Sequence, residues 1–221
     1  MKKYIIFLIF LAPHLVQCQD NLVMKWSFEQ VTNRNLVDQN GLTRDTLEGN
    51  FELVKGISGK GILLDGFTTC VRRSSDAKKN PGSEFTVEAW VALGNYPWNW
   101  CPILTTESNE VKGYRLMVGP LGQASFECAV EEQWVAVTSG QEDLPLRKWM
   151  HIAGVYRENN SLELYINGEL KANLRLHGRV SHPRSEVRLG MVTAPGKPSD
   201  LHRTKGTVAA YYGIDGILDE I

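Results

Sequence analysis

This chain of 221 residues lacks an apolar run long enough to span a membrane as a helix, since its one hydrophobic stretch, Tyr4 to Ala12, falls well short of the roughly 20 residues a bilayer demands. It also lacks charge of one sign. Lys and Arg number 24 against 25 Asp and Glu, and the basic residues are scattered, so there is no electrostatic stripe of the kind nucleic-acid binding requires. Cysteine is scarce, with four in the chain, no C-x-x-C spacing and no His pair beside them, which leaves no zinc signature. No G-x-S-x-G nucleophile elbow occurs. The glycine-rich stretch from Gly56 to Gly61 lacks the G-K-[ST] ending of a phosphate loop and precedes a strand pattern, so it reads as a turn.

What the N-terminus does contain is a targeting pattern. Lys2 and Lys3 form a basic region, Tyr4 to Ala12 a short apolar one, and Pro13 to Cys18 a cleavage region, so residues 1–18 read as a removed signal peptide. The expected location is therefore secreted or extracytoplasmic. Leu15-Val16-Gln17-Cys18 also resembles a lipobox with Cys18 as the lipidated residue, although Gln17 stands where a small residue is usual; membrane contact is expected only through such an anchor. Cys70, Cys101 and Cys128 remain after cleavage. Three thiols allow at most one disulfide within the chain, and buried unpaired thiols are the alternative.

The residues from 19 to 221 carry the rhythm of an all-β domain. Ile152, Gly154 and Tyr156 alternate with His151, Ala153 and Val155, and Leu162, Leu164 and Ile166 alternate with Glu163 and Tyr165, the period of two expected of strands. Asn167-Gly168 then supplies the two positive-φ residues of a type I′ hairpin turn. Strands are expected over Leu22–Phe28, Phe51–Val54, Gly61–Leu64, Thr68–Arg72, Phe85–Leu93, Ile103–Thr106, Tyr114–Val118, Ala124–Ala129, Trp134–Thr138, Trp149–Tyr156, Leu162–Ile166, Leu170–Leu174, Glu186–Leu189 and Ile214–Leu218. So many short strands between Gly, Pro and Asn turns predict a two-sheet antiparallel β-sandwich. A long loop within 177–212 is a candidate rim for a binding site.

The spacing W-x-H-x-A-x-x-Y at Trp149–Tyr156, followed by L-x-L-Y-x-N-G at Leu162–Gly168, resembles the laminin G-like modules of the concanavalin A-like lectin/glucanase superfamily. Trp26-Ser27-Phe28-Glu29, Gly59 to Gly66, Phe85 to Val91, Leu189-Gly190 and Gly213 to Ile221 resemble further family motifs, in order, across Leu22–Ile221. The resemblance implies a jelly roll. In the family the closing strand continues past the Asp219-Glu220 pair, so this chain reads as cut short in its last strand and as part of a longer protein.

Because the superfamily includes glucanases, catalysis is the first function to test. A retaining glycosidase needs two carboxyls about 5 Å apart, hence two or four residues apart on one strand face. The family's E-x-D-x-x-E arrangement is absent here. Asp215 and Asp219 share a face but flank Ile217, and Glu131 and Glu132 are adjacent and so face opposite sides. A hydrolase is therefore the least supported of three readings. The first is a non-catalytic carbohydrate-binding module of a larger polysaccharide-processing protein; the second is a protein-interaction or adhesion module.

Tyr96-Pro97-Trp98-Asn99-Trp100 follows a strand pattern and puts rings in a loop, where stacking on the apolar face of a sugar is natural and Asn99 can bind hydroxyls. One of Trp98 and Trp100 is expected to cap the sandwich. Trp134 and Tyr212, with Tyr211, are further sugar-binding candidates, whereas Trp26, Trp90, Trp149 and His151 read as structural. The resemblance also implies a structural calcium ion, held by Glu29, Asp38 and Asp219 with loop carbonyls near Asn50.

Overall fold

The computed structural model describes residues 22–37, 43–107, 110–193 and 212–221. The signal segment with Cys18, and Asp38 and Tyr211, lie outside the described residues. The strands are β1 (Val31–Thr32), β2 (Asn35–Val37), β3 (Arg44–Glu48), β4 (Glu52–Lys55), β5 (Lys60–Asp65), β6 (Cys70–Arg73), β7 (Glu84–Asn95) and β8 (Cys101–Thr105). They continue with β9 (Tyr114–Val118), β10 (Ala124–Val130), β11 (Gln133–Thr138), β12 (Met150–Arg157), β13 (Ser161–Ile166), β14 (Glu169–Arg175), β15 (Val187–Leu189) and β16 (Asp215–Asp219). A nine-stranded sheet has the order β1-β2-β3-β6-β15-β8-β9-β10-β11, and a seven-stranded sheet the order β14-β13-β12-β7-β16-β5-β4. The expected two-sheet antiparallel sandwich is present.

Alternation decides which side chains fill it. Val87, Ala89, Val91 and Leu93 of β7 are buried while Glu84, Thr86 and Glu88 are exposed. Across the core, Leu116 and Val118 of β9 and Phe126 and Cys128 of β10 are buried from the other sheet. Phe126 lies so close to β12 that a Cβ on Gly154 would stand 2.1 Å from its ring, so only glycine fits there. Asn167 and Gly168 do close the β13–β14 hairpin with φ of 51° and 79°. Glu131 and Glu132 also have positive φ, 47° and 61°, and form the β10–β11 turn rather than facing opposite sides of a strand.

Three expectations are corrected. β1, β2 and β3 were not legible as strands, and Leu22–Phe28 is no strand although Trp26 and Phe28 are buried. Trp90 is half-buried on the outer face of its sheet, with its ring centroid 5.1 Å from that of His151, because the inward positions of β7 belong to the odd-numbered residues around it. His151 stands opposite Trp90 in the register and 3.4 Å from Glu88, a packed position as expected. Cys70, Cys101 and Cys128 are buried free thiols. Burial pushes the Cys70 thiol up to about 12, with the Glu48 charge adding to it, and burial raises Cys101 and Cys128 as well.

Turns are fastened by carboxylates. Asp65 Oδ1 accepts the backbone N–H groups of Phe67, Thr68 and Thr69 at 3.1, 2.8 and 2.9 Å. Burial opposes its charge, but the Thr68 hydroxyl and these N–H groups outweigh that and lower its pKa from 3.8 to about 2. A depressed carboxyl contributes stability that is present above the unfolded value and is lost as pH falls from 3.8 through 2. Asp65→Asn is expected to cost about 1 kcal/mol at neutral pH after solvent screening, and to flatten the loss of stability across that window. Urea melts at pH 7 and pH 2.5 check this; equal pH slopes in the two proteins would refute it.

Candidate carbohydrate-binding site

One row of residues crosses the nine-stranded sheet on its outer face. Asn35, Thr46, Arg72, Arg188, Thr105, Arg115, Glu127 and Ala136 stand opposite one another in turn, from β2 to β11. Their neighbours Leu47, Val71, Leu189, Leu104 and Leu116 point into the core. The row carries three arginines, and acidic residues from adjacent positions thread between them.

Arg72 bridges Glu48 at 2.8 Å and Glu186 at 2.6 Å, and Arg188 binds the other oxygen of Glu186 and the carbonyl of Val192. Arg115 donates to Glu127 at 2.7 and 2.8 Å and to Glu107. Burial opposes the charge on Arg115, yet its two carboxylates hold its pKa above the ordinary value. Burial likewise works against Glu186, but hydrogen bonds from Arg72 and Arg188 hold its carboxyl below the usual range. A polar recess of about 400 Å³ opens at one end of this ladder, lined by Thr46, Glu48, Arg72, Ser74, Ser75, Arg184 and Glu186. The sequence pattern did not single out these residues.

Two tryptophans share this face. Trp134, outward on β11 because Val135 and Val137 point inward, lies with its ring centroid 4.4 Å from the Arg115 guanidinium. Trp100 precedes the buried Cys101, which pairs with Val118, so alternation turns its ring outward over Gly119; a Cβ at Gly119 would stand 2.8 Å from that ring. Both rings are half-buried. Between them the floor is closed, with Met117 and Ser125 buried.

The other aromatic candidates brace the loop. Trp98 packs against the core and stands 4.4 Å from Tyr212 between ring centroids, which makes Trp98 the expected cap of the sandwich. Tyr212 donates its hydroxyl to the carbonyl of Trp100 at 3.1 Å, and burial, with Cys101 next, pushes its pKa up to about 12, so it is a neutral donor at physiological pH. Tyr96 packs on Gly122 and donates to the carbonyl of Leu144 at 3.0 Å. Asn99 Oδ1 accepts the backbone N–H of Trp100. The structure thus brings Tyr96, Trp98, Asn99, Trp100 and Tyr212 together at one end of the face and sets Trp134 apart, beside Arg115. The flanks of the long loop meet here too: Val192 N–H bonds to the Tyr212 carbonyl at 3.2 Å, and Thr193 donates to Glu107 at 2.6 Å.

Glu29 and Asp219 both border the turn after β4, where both oxygens of Asp219 and one of Glu29 accept backbone N–H groups. Asp219, fully buried, accepts Ser58 N–H at 3.0 Å and Glu220 N–H at 2.8 Å, while Glu29 accepts Lys60 N–H at 2.7 Å. Burial raises the Asp219 carboxyl above its ordinary value. Among the described residues no group of three His, Cys, Asp or Glu is disposed to hold a metal. As described, this pair clamps a turn.

The Laminin_G_3 family, of the concanavalin A-like lectin/glucanases superfamily, matches residues 68–200. The chain belongs to this family. No curated protein matches. Among solved structures, this laminin G-like chain is similar to the binding domain of Paraclostridial Mosquitocidal Protein 1, at 16% identity over 90% of this chain and 49% of that one, with a TM-score of 0.61. It is similar to the binding domain of botulinum neurotoxin DC in complex with SialylT, at 15% identity, 90% and 47% coverage and a TM-score of 0.60. A third likeness is to domain 4 of AbnA, an extracellular arabinanase of Geobacillus stearothermophilus, in complex with arabinotriose: 16% identity, 90% and 91% coverage, TM-score 0.59. The chain spans about half the length of the toxin binding domains and most of the arabinanase domain. At these identities the likeness shows the fold.

Proposed function

We propose that the chain is a non-catalytic carbohydrate-binding module, exported by its N-terminal signal and belonging to a larger polysaccharide-processing protein. The observation that carries the reading is that Trp100 and Trp134 stand on the same face of one sheet, Trp100 over Gly119 and Trp134 over Arg115 of the arginine–glutamate ladder. Half-buried rings offer apolar faces to pyranose or furanose C–H groups at little cost in side-chain entropy, and the ladder offers both donors and acceptors to hydroxyls. Asn99 and Tyr212 hold the backbone of Trp100, Trp98 braces Tyr212, and Tyr96 packs nearby on Gly122. The arabinotriose and SialylT complexes of two relatives in fold support an oligosaccharide as the ligand class.

The same ladder supports the absence of hydrolysis. Glu107 and Glu127 are both committed to Arg115, and Glu48 and Glu186 to Arg72. A glycosidase acid must instead be kept protonated and free to reach the glycosidic oxygen.

Affinity electrophoresis against a polysaccharide panel that includes arabinan and sialylated glycans is expected to show retardation by at least one glycan, with no reducing sugar released. No retardation of a folded sample would turn the reading to a protein-interaction module; release of reducing sugar would make it a hydrolase. The same gel with a chelator tests calcium at Glu29, Asp38 and Asp219. Unchanged retardation and melting are expected from the backbone-clamping roles of Glu29 and Asp219, and a fall in melting temperature would place an ion there.

A further inference from the structure

The arginines of the outer-face ladder are matched by carboxylates except at one end. Arg72, Arg115 and Arg188 each have an acidic partner. In the recess beside β3 and β6, all four oxygens of Glu48 and Glu186 are taken: Glu48 binds Arg72 and the Cys70 thiol, and Glu186 binds Arg72 and Arg188. Among the described residues no other acid lines this recess. The groups left over in its wall are donors. Arg184 is exposed and makes no ion pair or side-chain hydrogen bond among the described residues, and neither do the hydroxyls of Thr46, Ser74 and Ser75. The backbone on both sides of Arg184 is fastened, since Lys78 donates to the Pro183 carbonyl and the Ser185 hydroxyl donates to the Thr106 carbonyl at 2.6 Å. The guanidinium is thus carried at the recess by a held segment.

We propose that the recess is an anion subsite of the glycan-binding face, taking the carboxylate of a uronic acid or the sulfate ester of a sulfated sugar. The inference rests on the carbohydrate reading above and narrows it to acidic glycans. The balance of donors and acceptors carries it. A sugar hydroxyl both donates and accepts, whereas an ionised carboxylate or sulfate oxygen only accepts, so spare donors beside occupied acceptors suit an anion. Charge agrees. Arg72 and Arg188 offset Glu48 and Glu186, which leaves Arg184 as the uncompensated cation, and a guanidinium fork binds an oxyanion through two parallel N–H bonds. Position supplies the last step. From β6, which carries Arg72, to β11, which carries Trp134, there are five strand-to-strand steps of about 4.8 Å, or about 24 Å in all. An oligosaccharide lying across the strands can place an acidic unit in the recess while another unit stacks on Trp134.

The test measures dissociation constants for the full chain against neutral polymers (galactan, arabinan, dextran), carboxylated ones (polygalacturonate, alginate) and sulfated ones (sulfated galactan, dextran sulfate). Binding by a carboxylated or a sulfated polymer is expected to exceed that by every neutral one, and whichever arm binds identifies the anion. Arg184→Gln is expected to weaken that binding about tenfold or more at an unchanged melting temperature. Lys55→Gln, which removes one exposed charge from β4 of the other sheet, is expected to leave it as it is. Equal losses in the two variants would mark general charge attraction and overturn the subsite, as would full affinity in Arg184→Gln. Preference for a neutral glycan would overturn the subsite alone and leave the carbohydrate reading standing; binding to none of the polymers by folded protein would overturn both.

Discussion

Replacing Asp45 by alanine is expected to lower the stability of the fold by about 3–5 kcal/mol, because it leaves the Arg73 guanidinium buried with its carboxylate removed. Asp45 is fully buried on β3, Arg73 is 1% exposed on β6, and the two meet in a fork, Nε to Oδ1 at 2.9 Å and Nη2 to Oδ2 at 2.7 Å. Trp26 Nε1 donates to the same carboxylate at 2.5 Å, and the guanidinium carbon stands 4.5 Å from the centre of a Trp26 ring. One carboxylate thus fastens the N-terminal segment to the edge of the nine-stranded sheet. Removing both charges tests whether the cost comes from the orphaned ion. Asp45→Leu combined with Arg73→Met is expected to be less destabilised than Asp45→Ala alone, since two apolar groups leave no uncompensated charge. Urea melts of the three proteins decide it. A loss below about 1 kcal/mol for Asp45→Ala, or a double variant worse than the single, would show that the ion pair is not what holds this corner.

That corner also marks where the sequence stopped being informative. β7 and β13 alternate cleanly because one face is apolar and the other polar, as in Val87-Glu88-Ala89 or Leu162-Glu163-Leu164. β3 reads Arg-Asp-Thr-Leu-Glu, and its inward residues are Leu47 and Asp45, so a buried aspartate breaks the pattern by which a strand is recognised. β1 and β2 are two and three residues long, with one fully buried side chain, Leu36, between them. The candidate site was half legible for a similar reason. Aromatic residues in a loop stand out, and Trp98, Trp100 and Tyr212 do assemble. Glu127 and Arg188 are single charges in otherwise apolar strands and Arg72 stands beside Arg73 in β6, each unremarkable until the register sets one row opposite the next. Long-range pairing creates the ladder, and periodicity within a strand carries no information about its neighbour. Trp90 illustrates the opposite case: the parity of β7, readable from the sequence, already assigns it to the outer face.

Trp100→Ala and Trp134→Ala are each expected to weaken retention by the cognate glycan about tenfold or more, and together about a hundredfold, with the melting temperature nearly unchanged. The separation of binding from folding follows from where the rings lie. Trp100 covers Gly119 and Trp134 covers Arg115 on the outer face, so truncating either removes apolar surface without opening the core. Loss of the Trp134 ring leaves Arg115 still held by Glu107 and Glu127. Trp98→Ala supplies the contrast. That ring packs against the core and on Tyr212, so its removal is expected to lower the denaturant midpoint while folded protein still binds, although weaker support of Trp100 through Tyr212 reduces affinity a few-fold. Dissociation constants from the electrophoretic mobilities, set beside melting temperatures for all three variants, separate the roles. Wild-type binding by the Trp100 and Trp134 double variant would remove sugar stacking from this face. Loss of binding in Trp98→Ala alone, at unchanged stability, would move the platform into the loop end beside Tyr212.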